Sequence, residues 1–160
     1  MITALCSGSF DPITMGHLDI IERTARMFDR CHVTLFINAE KHPLFTVAER
    51  LEMAREATQG TKNVLVGSFE GLVSEYVAAH KIRAVIKGLR AVSDFEQEFT
   101  MAQMNKHLNP DCETLFMMTQ PAYAFLSSSI VKEVARWRGD LTGLVPPSVA
   151  RRLQAKFEGA

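Results

Sequence analysis

Short runs of β-branched and other apolar residues alternate along this chain with longer stretches in which apolar positions recur every three or four residues. The runs 2–7 (ITALCS), 32–38 (HVTLFIN), 63–68 (NVLVGS), 83–88 (RAVIKG) and 113–118 (ETLFMM) predict five strands. The amphipathic stretches predict helices over 17–29, 46–59, about 71–80, 94–108, about 128–138 and 147–157. In the first of these, Leu18, Ile21, Ala25 and Phe28 share a face. Thr46 and Glu49 have the spacing of a capping box, Asp94 and Gln97 repeat it, and Pro147 is placed as a first-turn proline. No long linker, repeat or low-complexity segment interrupts the alternation. The pattern predicts an α/β fold: one Rossmann-like domain over residues 1–160, with a five-stranded parallel sheet and helices on both faces.

Composition narrows the function classes. Apolar residues make up 47% and charged residues 22%, an ordinary balance for a globular domain. Lysine plus arginine number 18, as do aspartate plus glutamate. That equality argues against a general affinity for nucleic acid or anionic membrane. No apolar run reaches the ~18 residues of a membrane span. The first strand starts at Ile2, so no signal peptide is expected and a cytoplasmic location is. Cys6, Cys31 and Cys112 are odd in number and lack CxxC spacing, so we expect reduced, mostly buried thiols.

In open parallel sheets ligands bind beyond the C-terminal strand ends, near the switch in strand order. The segments there are GSFDPITMGH, NAEKHPLF, SFEGLV, KGLRAVSDFEQE and TQPAYAFLSSS. In the first, Gly8 is expected to turn the chain sharply as it leaves the strand, and Ser9 offers an N–H and a hydroxyl. Gly16 opens the backbone to close approach, and His17 falls in the first helical turn, where unpaired N–H groups favour an anion. The stretch reads either as a phosphate cradle with a movable donor or as a helix-capping loop with an exposed histidine. It matches neither the P-loop nor the GxGxxG fingerprint.

Thr14-Met15-Gly16-His17 has the TxGH form of the (H/T)xGH motif of nucleotidyltransferases. With KGLR (87–90), DFEQE (94–98), MNKHL (104–108) and SSSIVKEVA (127–135), the chain resembles the bacterial phosphopantetheine adenylyltransferases from Ile2 nearly to its C-terminus. The resemblance implies reversible transfer of AMP from ATP to 4′-phosphopantetheine, giving dephospho-coenzyme A and pyrophosphate. It implies Mg2+ carried on the ATP phosphates, feedback by coenzyme A, and a homohexamer. It assigns Ser9, Phe10 and His17 to ATP, with His17 stabilising the transition state. Lys41 and Lys87 fall to the acceptor phosphate, with Ser9 also on that side, and Val73 to the pantetheine arm. Gly88, Leu89, Arg90 and Glu98 fall to the nucleotide, Arg90 and Lys41 also serving catalysis. Tyr123, Ala124, Phe125, Leu126, Ser127, Ser128 and Ser129 form the segment that closes over ATP. Three positions depart from the family's commoner residues. Ser9 replaces threonine, Lys87 replaces arginine and loses its planar fork, and Gln97 replaces tyrosine.

The chemistry suits these residue types. An acceptor phosphate is already anionic, so no protein base is required. The protein's task is to position two polyanions and to stabilise growing charge. Other candidates have plainer readings. His42 reads as a loop residue, and Asp94 and Glu96 as favourable charges in a helix's first turn. Ser129-x-x-Lys132 lacks the SDN and KTG partners of penicillin-binding enzymes. Met101, Met104 and Leu108 form one stripe, and Phe95, Phe99 and Ala102 another; they suit core packing on two flanks or contact with another subunit. His32, His80 and His107 lack metal-ligand spacing, and Trp137 reads as a packing residue. Two rivals stand beside the main reading. One is another nucleotidyltransferase, such as a glycerol-3-phosphate cytidylyltransferase or a nicotinate-mononucleotide adenylyltransferase. The other is a non-catalytic nucleotide sensor. HxGH and an RTxGIST-like final block would favour the cytidylyltransferase, and the chain has Thr14 and AFLSSS instead.

Overall fold

The structure, a computed structural model, describes residues 1–37 and 42–158. Five strands, β1 (Thr3–Gly8), β2 (Arg30–Phe36), β3 (Val64–Phe69), β4 (Ala84–Leu89) and β5 (Thr114–Met118), form one parallel sheet in the order β3-β2-β1-β4-β5. The order reverses between β1 and β4, which places the crevice for a ligand beyond Gly8 and Leu89. Six α-helices and one 3-10 turn (Pro121–Tyr123) complete the described fold: α1 (Met15–Met27), α2 (Val47–Thr58), α3 (Val73–His80), α4 (Val92–Leu108), α5 (Ser128–Arg136) and α6 (Pro147–Glu158).

The alternation along β1 divides the interior. Ala4 and Cys6 face a larger core with Ile21 of α1, Met53 of α2, Val131 of α5 and Leu153 of α6. Leu5 faces the opposite side, with Tyr76 and Val77 of α3 and Val85 of β4. Thr46 and Glu49 form the expected capping box at the start of α2. All three cysteines are free and buried, Cys6 and Cys31 with sulfurs 3.8 Å apart.

Four expectations need correction. The chain turns after β1 at Phe10, with φ of 45°, so the left-handed residue is not Gly8. Gly8 instead makes room for the Phe10 ring, since a Cβ there would lie 3.2 Å from its Cζ. Helix α4 starts at Val92, capped by Ala91 without a side-chain bond, and Asp94 does not cap it. The stripes of α4 do not pack into the core of the single chain. Phe95, Phe99, Met101, Met104 and Leu108 are all exposed, and Asn105 is the helix's buried residue. Trp137 is likewise no packing residue, being 78% exposed. None of the described helices is long and apolar enough to cross a membrane.

Candidate active site

A cleft of about 560 Å³ opens at the switch point, within the usual size for a small-molecule site. Its walls come from the ends of four strands: Ser7 to Phe10 at the end of β1, Phe36 at β2, Lys87, Gly88 and Arg90 at β4 and Thr119 after β5. Helix α1 contributes Gly16, His17 and Ile20, α4 contributes Asp94, Gln97, Glu98 and Met101, and α5 contributes Ser128 with its cap Ser127.

His17 is fixed by its own helix start. Thr14 is the N-cap, and the His17 N–H donates to its Oγ1 at 3.3 Å. In return the Thr14 N–H donates to His17 Nδ1 at 3.0 Å. This is a capping box in which histidine takes the place of Glu or Gln. A backbone N–H can only donate, so Nδ1 is bare and the ring proton sits on Nε2. The Phe10 ring meets the imidazole edge-on, with centroids 5.1 Å apart. Burial, and then the positive charge of Arg90, pushes the His17 pKa down to about 4. The ring is therefore a neutral Nε2–H donor at pH 7.

The two described cations of the cleft each meet a carboxylate one turn apart on α4. Lys87 Nζ lies 3.4 Å from Glu98. Arg90 grips Asp94 with Nε at 2.9 Å and Nη2 at 3.0 Å, and its Nη1 donates to the Leu126 carbonyl at 3.0 Å. The Arg90 hydrogen bond is the main cause that holds the Asp94 carboxyl below its usual pKa. Among the described residues, then, the cleft pairs two cations with two carboxylates.

The loop after β1 is tied down from several sides. Arg50, buried in α2, donates to the Ser9 carbonyl at 2.9 Å. Ser128 Oγ donates to the Pro12 carbonyl at 2.8 Å. Ser127 caps α5, accepting from the Ile130 N–H at 3.1 Å. Asp19 is buried in α1 and accepts from Gln120 Nε2 at 2.7 Å and Arg23 Nη1 at 3.0 Å, which fastens the chain just after Thr119.

Ser9, Phe10, His17, Val73, Lys87, Gly88, Arg90, Glu98, Tyr123, Leu126, Ser127 and Ser128 thus share one cleft. Leu89, Ala124, Phe125 and Ser129 do not line it; Phe125 is 59% exposed, and Ser129 lies on a second hollow with His42 and Lys132. Lys41 lies outside the described residues. Sequence reasoning did not pick out Thr14 as a partner of His17, although the T-x-x-H spacing carries that signal. The bonds of Arg50 to Ser9 and of Asp19 to Gln120 left no signal in spacing, because their partners lie 41 and 101 residues away; the Asp19–Arg23 pair, four residues apart on α1, does carry one and was missed. Among the described residues no three His, Cys, Asp or Glu side chains gather as a metal-ligand set.

A comparison with protein families completes the picture. Residues 5–134, most of the chain, from within β1 through β2, β3, β4 and β5, match the family model described as Cytidylyltransferase-like.

Proposed function

We propose, from the premise that this chain belongs to the cytidylyltransferase-like family and so to the nucleotidyltransferases, that it moves AMP from ATP to 4′-phosphopantetheine, releasing pyrophosphate and giving dephospho-coenzyme A. Nucleotidyl transfer is the family's chemistry. The choice of ATP and of this acceptor rests on the resemblance carried by Thr14 to His17, residues 87–90 and 94–98, and the serine block 127–129.

The observation that supports the reading most is the state of His17: a neutral ring, its Nδ1 occupied by backbone, in the same cleft as Lys87 and Arg90. A direct attack by an acceptor phosphate on the α-phosphate needs no general base. It needs donors where negative charge grows. His17 Nε2–H supplies one without adding or removing a proton. Lys87 and Arg90 offset the repulsion between the two phosphates to the extent that they exchange Glu98 and Asp94 for phosphate oxygens; a free unit-charge pair at ~4 Å is worth about 4 kcal/mol at an effective dielectric of ~20, an upper bound for these paired cations. Ser127 and Ser128 bring hydroxyls, and the first turn of α5 brings N–H groups, to the leaving pyrophosphate. In this reading the transfer is direct, with no covalent enzyme intermediate, since the acceptor phosphate is itself the nucleophile; the engagement of Lys132 by Asp11 supports it by drawing that lysine away from a role as a base for Ser129. Magnesium would be carried by the triphosphate and would neutralise part of its charge; among the described residues the two carboxylates that line the cleft, Glu98 and Asp94, are held by Lys87 and Arg90.

The test is pyrophosphate release with magnesium and defined pairs of substrates. Release with ATP and phosphopantetheine supports the reading. Release only with CTP and glycerol phosphate, or only with ATP and nicotinate mononucleotide, assigns the chain to a sister activity. No release with any pair, alongside nucleotide binding, makes it a sensor.

A further inference from the structure

Asp11 stands one residue past the turn at Phe10 and is 7% exposed. It lies outside the cleft wall, yet its carboxylate collects three donors from two distant segments. Oδ2 accepts from the Leu44 N–H at 2.9 Å and Oδ1 from the Phe45 N–H at 3.0 Å. Oδ2 also takes Lys132 Nζ of α5 at 2.9 Å. Burial alone would raise the Asp11 pKa; the bonds from Lys132, Phe45 and Leu44 outweigh it and hold the carboxyl below its usual value.

The partners give this knot its meaning. Leu44 and Phe45 follow closely in the chain on Lys41, the cation assigned to the acceptor, and lead into α2. Lys132 is one turn from the serine-rich start of α5, whose Ser127 and Ser128 line the cleft. Asp11 itself sits between Ser9 and His17. The knot therefore joins the segment leading into α2, the helix whose start lines the cleft and the loop between Ser9 and His17 through one carboxylate.

Resting on the function proposed above, we infer that Asp11 and Lys132 are positioning residues: a buried latch that fixes the segment leading into α2 and the start of α5 against the loop that carries Ser9 and His17. The demand for such a part follows from the reaction. An in-line transfer requires the attacking oxygen to stand roughly 3–3.5 Å from phosphorus, and a displacement of about 1 Å can cost on the order of 100-fold in rate. Removing the Lys132 charge leaves the Asp11 carboxylate without its counter-ion in a poorly solvated place. The carboxylate then turns toward water and releases the Leu44 and Phe45 amides.

The experiment compares wild type with Lys132→Met, Lys132→Arg and Asp11→Asn by amide hydrogen exchange and by steady-state kinetics with both substrates. In Lys132→Met the exchange of Leu44 and Phe45 should rise at least tenfold, although the substitution is in α5. Its kcat should fall at least tenfold while KM for each substrate changes less than threefold. Lys132→Arg, which keeps the charge, should restore both. Asp11→Asn, nearly isosteric, should repeat the Lys132→Met pattern. Unchanged exchange at Leu44 and Phe45 in a folded Lys132→Met or Asp11→Asn protein overturns the latch, and so does wild-type kcat. A wild-type protein that transfers no nucleotide with any pair sinks the function instead, and the exchange comparison still decides the latch.

Discussion

The backbone N–H of Thr14 donates to Nδ1 of His17 at 3.0 Å, and this one bond sets which ring nitrogen can act on a ligand. A histidine at the third helical position would otherwise be free to choose its tautomer. Here the helix start makes the choice, and the same interaction stabilises the helix. Structure and chemistry are coupled in one side chain, and substitution can uncouple them.

His17→Gln is the substitution that does so. Glutamine at this position can accept from the Thr14 N–H as in an ordinary capping box, so the stability change should stay below about 1 kcal/mol. The Nε2–H donor is displaced, and kcat should fall roughly 100- to 1,000-fold, the usual loss for one donor to developing charge. Nucleotide affinity should stay within a few-fold, because the contact strengthens only as charge grows. His17→Ala should lose turnover similarly and also about 1 kcal/mol of stability from the broken box. Denaturation curves and single-turnover kinetics check both. Equal losses in nucleotide affinity and in turnover would remove His17 from the transition state.

The low His17 pKa also predicts a pH dependence of stability. The unfolded ring titrates near 6.5 and the folded ring near 4. Between those values the unfolded chain binds more protons, so this contribution is complete above pH 6.5 and is lost as the pH falls toward 4. The whole effect is on the order of 3 kcal/mol. Urea denaturation at pH 7, 5.5 and 4 should show the decline in wild type and a shallower one in His17→Gln. Parallel slopes for the two proteins would mean that His17 is not held neutral. In the same way, kcat from pH 6 to 8 should show no loss from deprotonation of His17, since the ring is already neutral.

Much of this arrangement could be read from the chain, and the unread parts share a cause. The five strands and the positions of Thr46, Glu49 and Pro147 were legible because local period and local capping decide them. The cleft's location followed from the strand-end rule. What stayed hidden depends on contacts between segments far apart. Asp11 meets Leu44, Phe45 and Lys132 across 33, 34 and 121 residues, and Asp19 meets Gln120 across 101. No window of sequence contains both partners. Trp137 and the α4 stripes misled for the opposite reason: apolar type suggests burial, but only the packed fold reveals that Met104 and Trp137 stay exposed among the described residues.

Gly88 should prove intolerant of even a methyl group. A Cβ built there lies 2.9 Å from Ile20 Cγ1, and Ile20 sits on the helix that carries His17. That carbon is near the backbone and cannot swing away cheaply. Gly88→Ala should therefore cost about 1–3 kcal/mol by overpacking, with α1 displaced from β4. A melting temperature within 1 °C or so of wild type would show that Ile20 can repack at little cost.

The pairing of Lys87 with Glu98 leads to the least intuitive expectation. The cation proposed to hold the acceptor phosphate is shared with a carboxylate at 3.4 Å, with side chains 23% and 30% exposed. An incoming phosphate must compete with Glu98 for Lys87 and also approach a negative charge. Glu98→Gln removes both penalties while keeping the side chain's shape. The affinity for inorganic pyrophosphate and for the acceptor phosphate should rise several-fold, consistent with a partly exposed ion pair worth up to about 1 kcal/mol. Lys87→Ala should weaken the acceptor and leave nucleotide affinity near wild type. The double variant separates the alternatives: if Glu98 acts through Lys87, the gain from Glu98→Gln shrinks in the Lys87→Ala background. Were Glu98 instead a direct nucleotide contact, Glu98→Gln would weaken ATP in both backgrounds alike. Calorimetric titration of the four proteins with pyrophosphate, acceptor and ATP reads the difference directly.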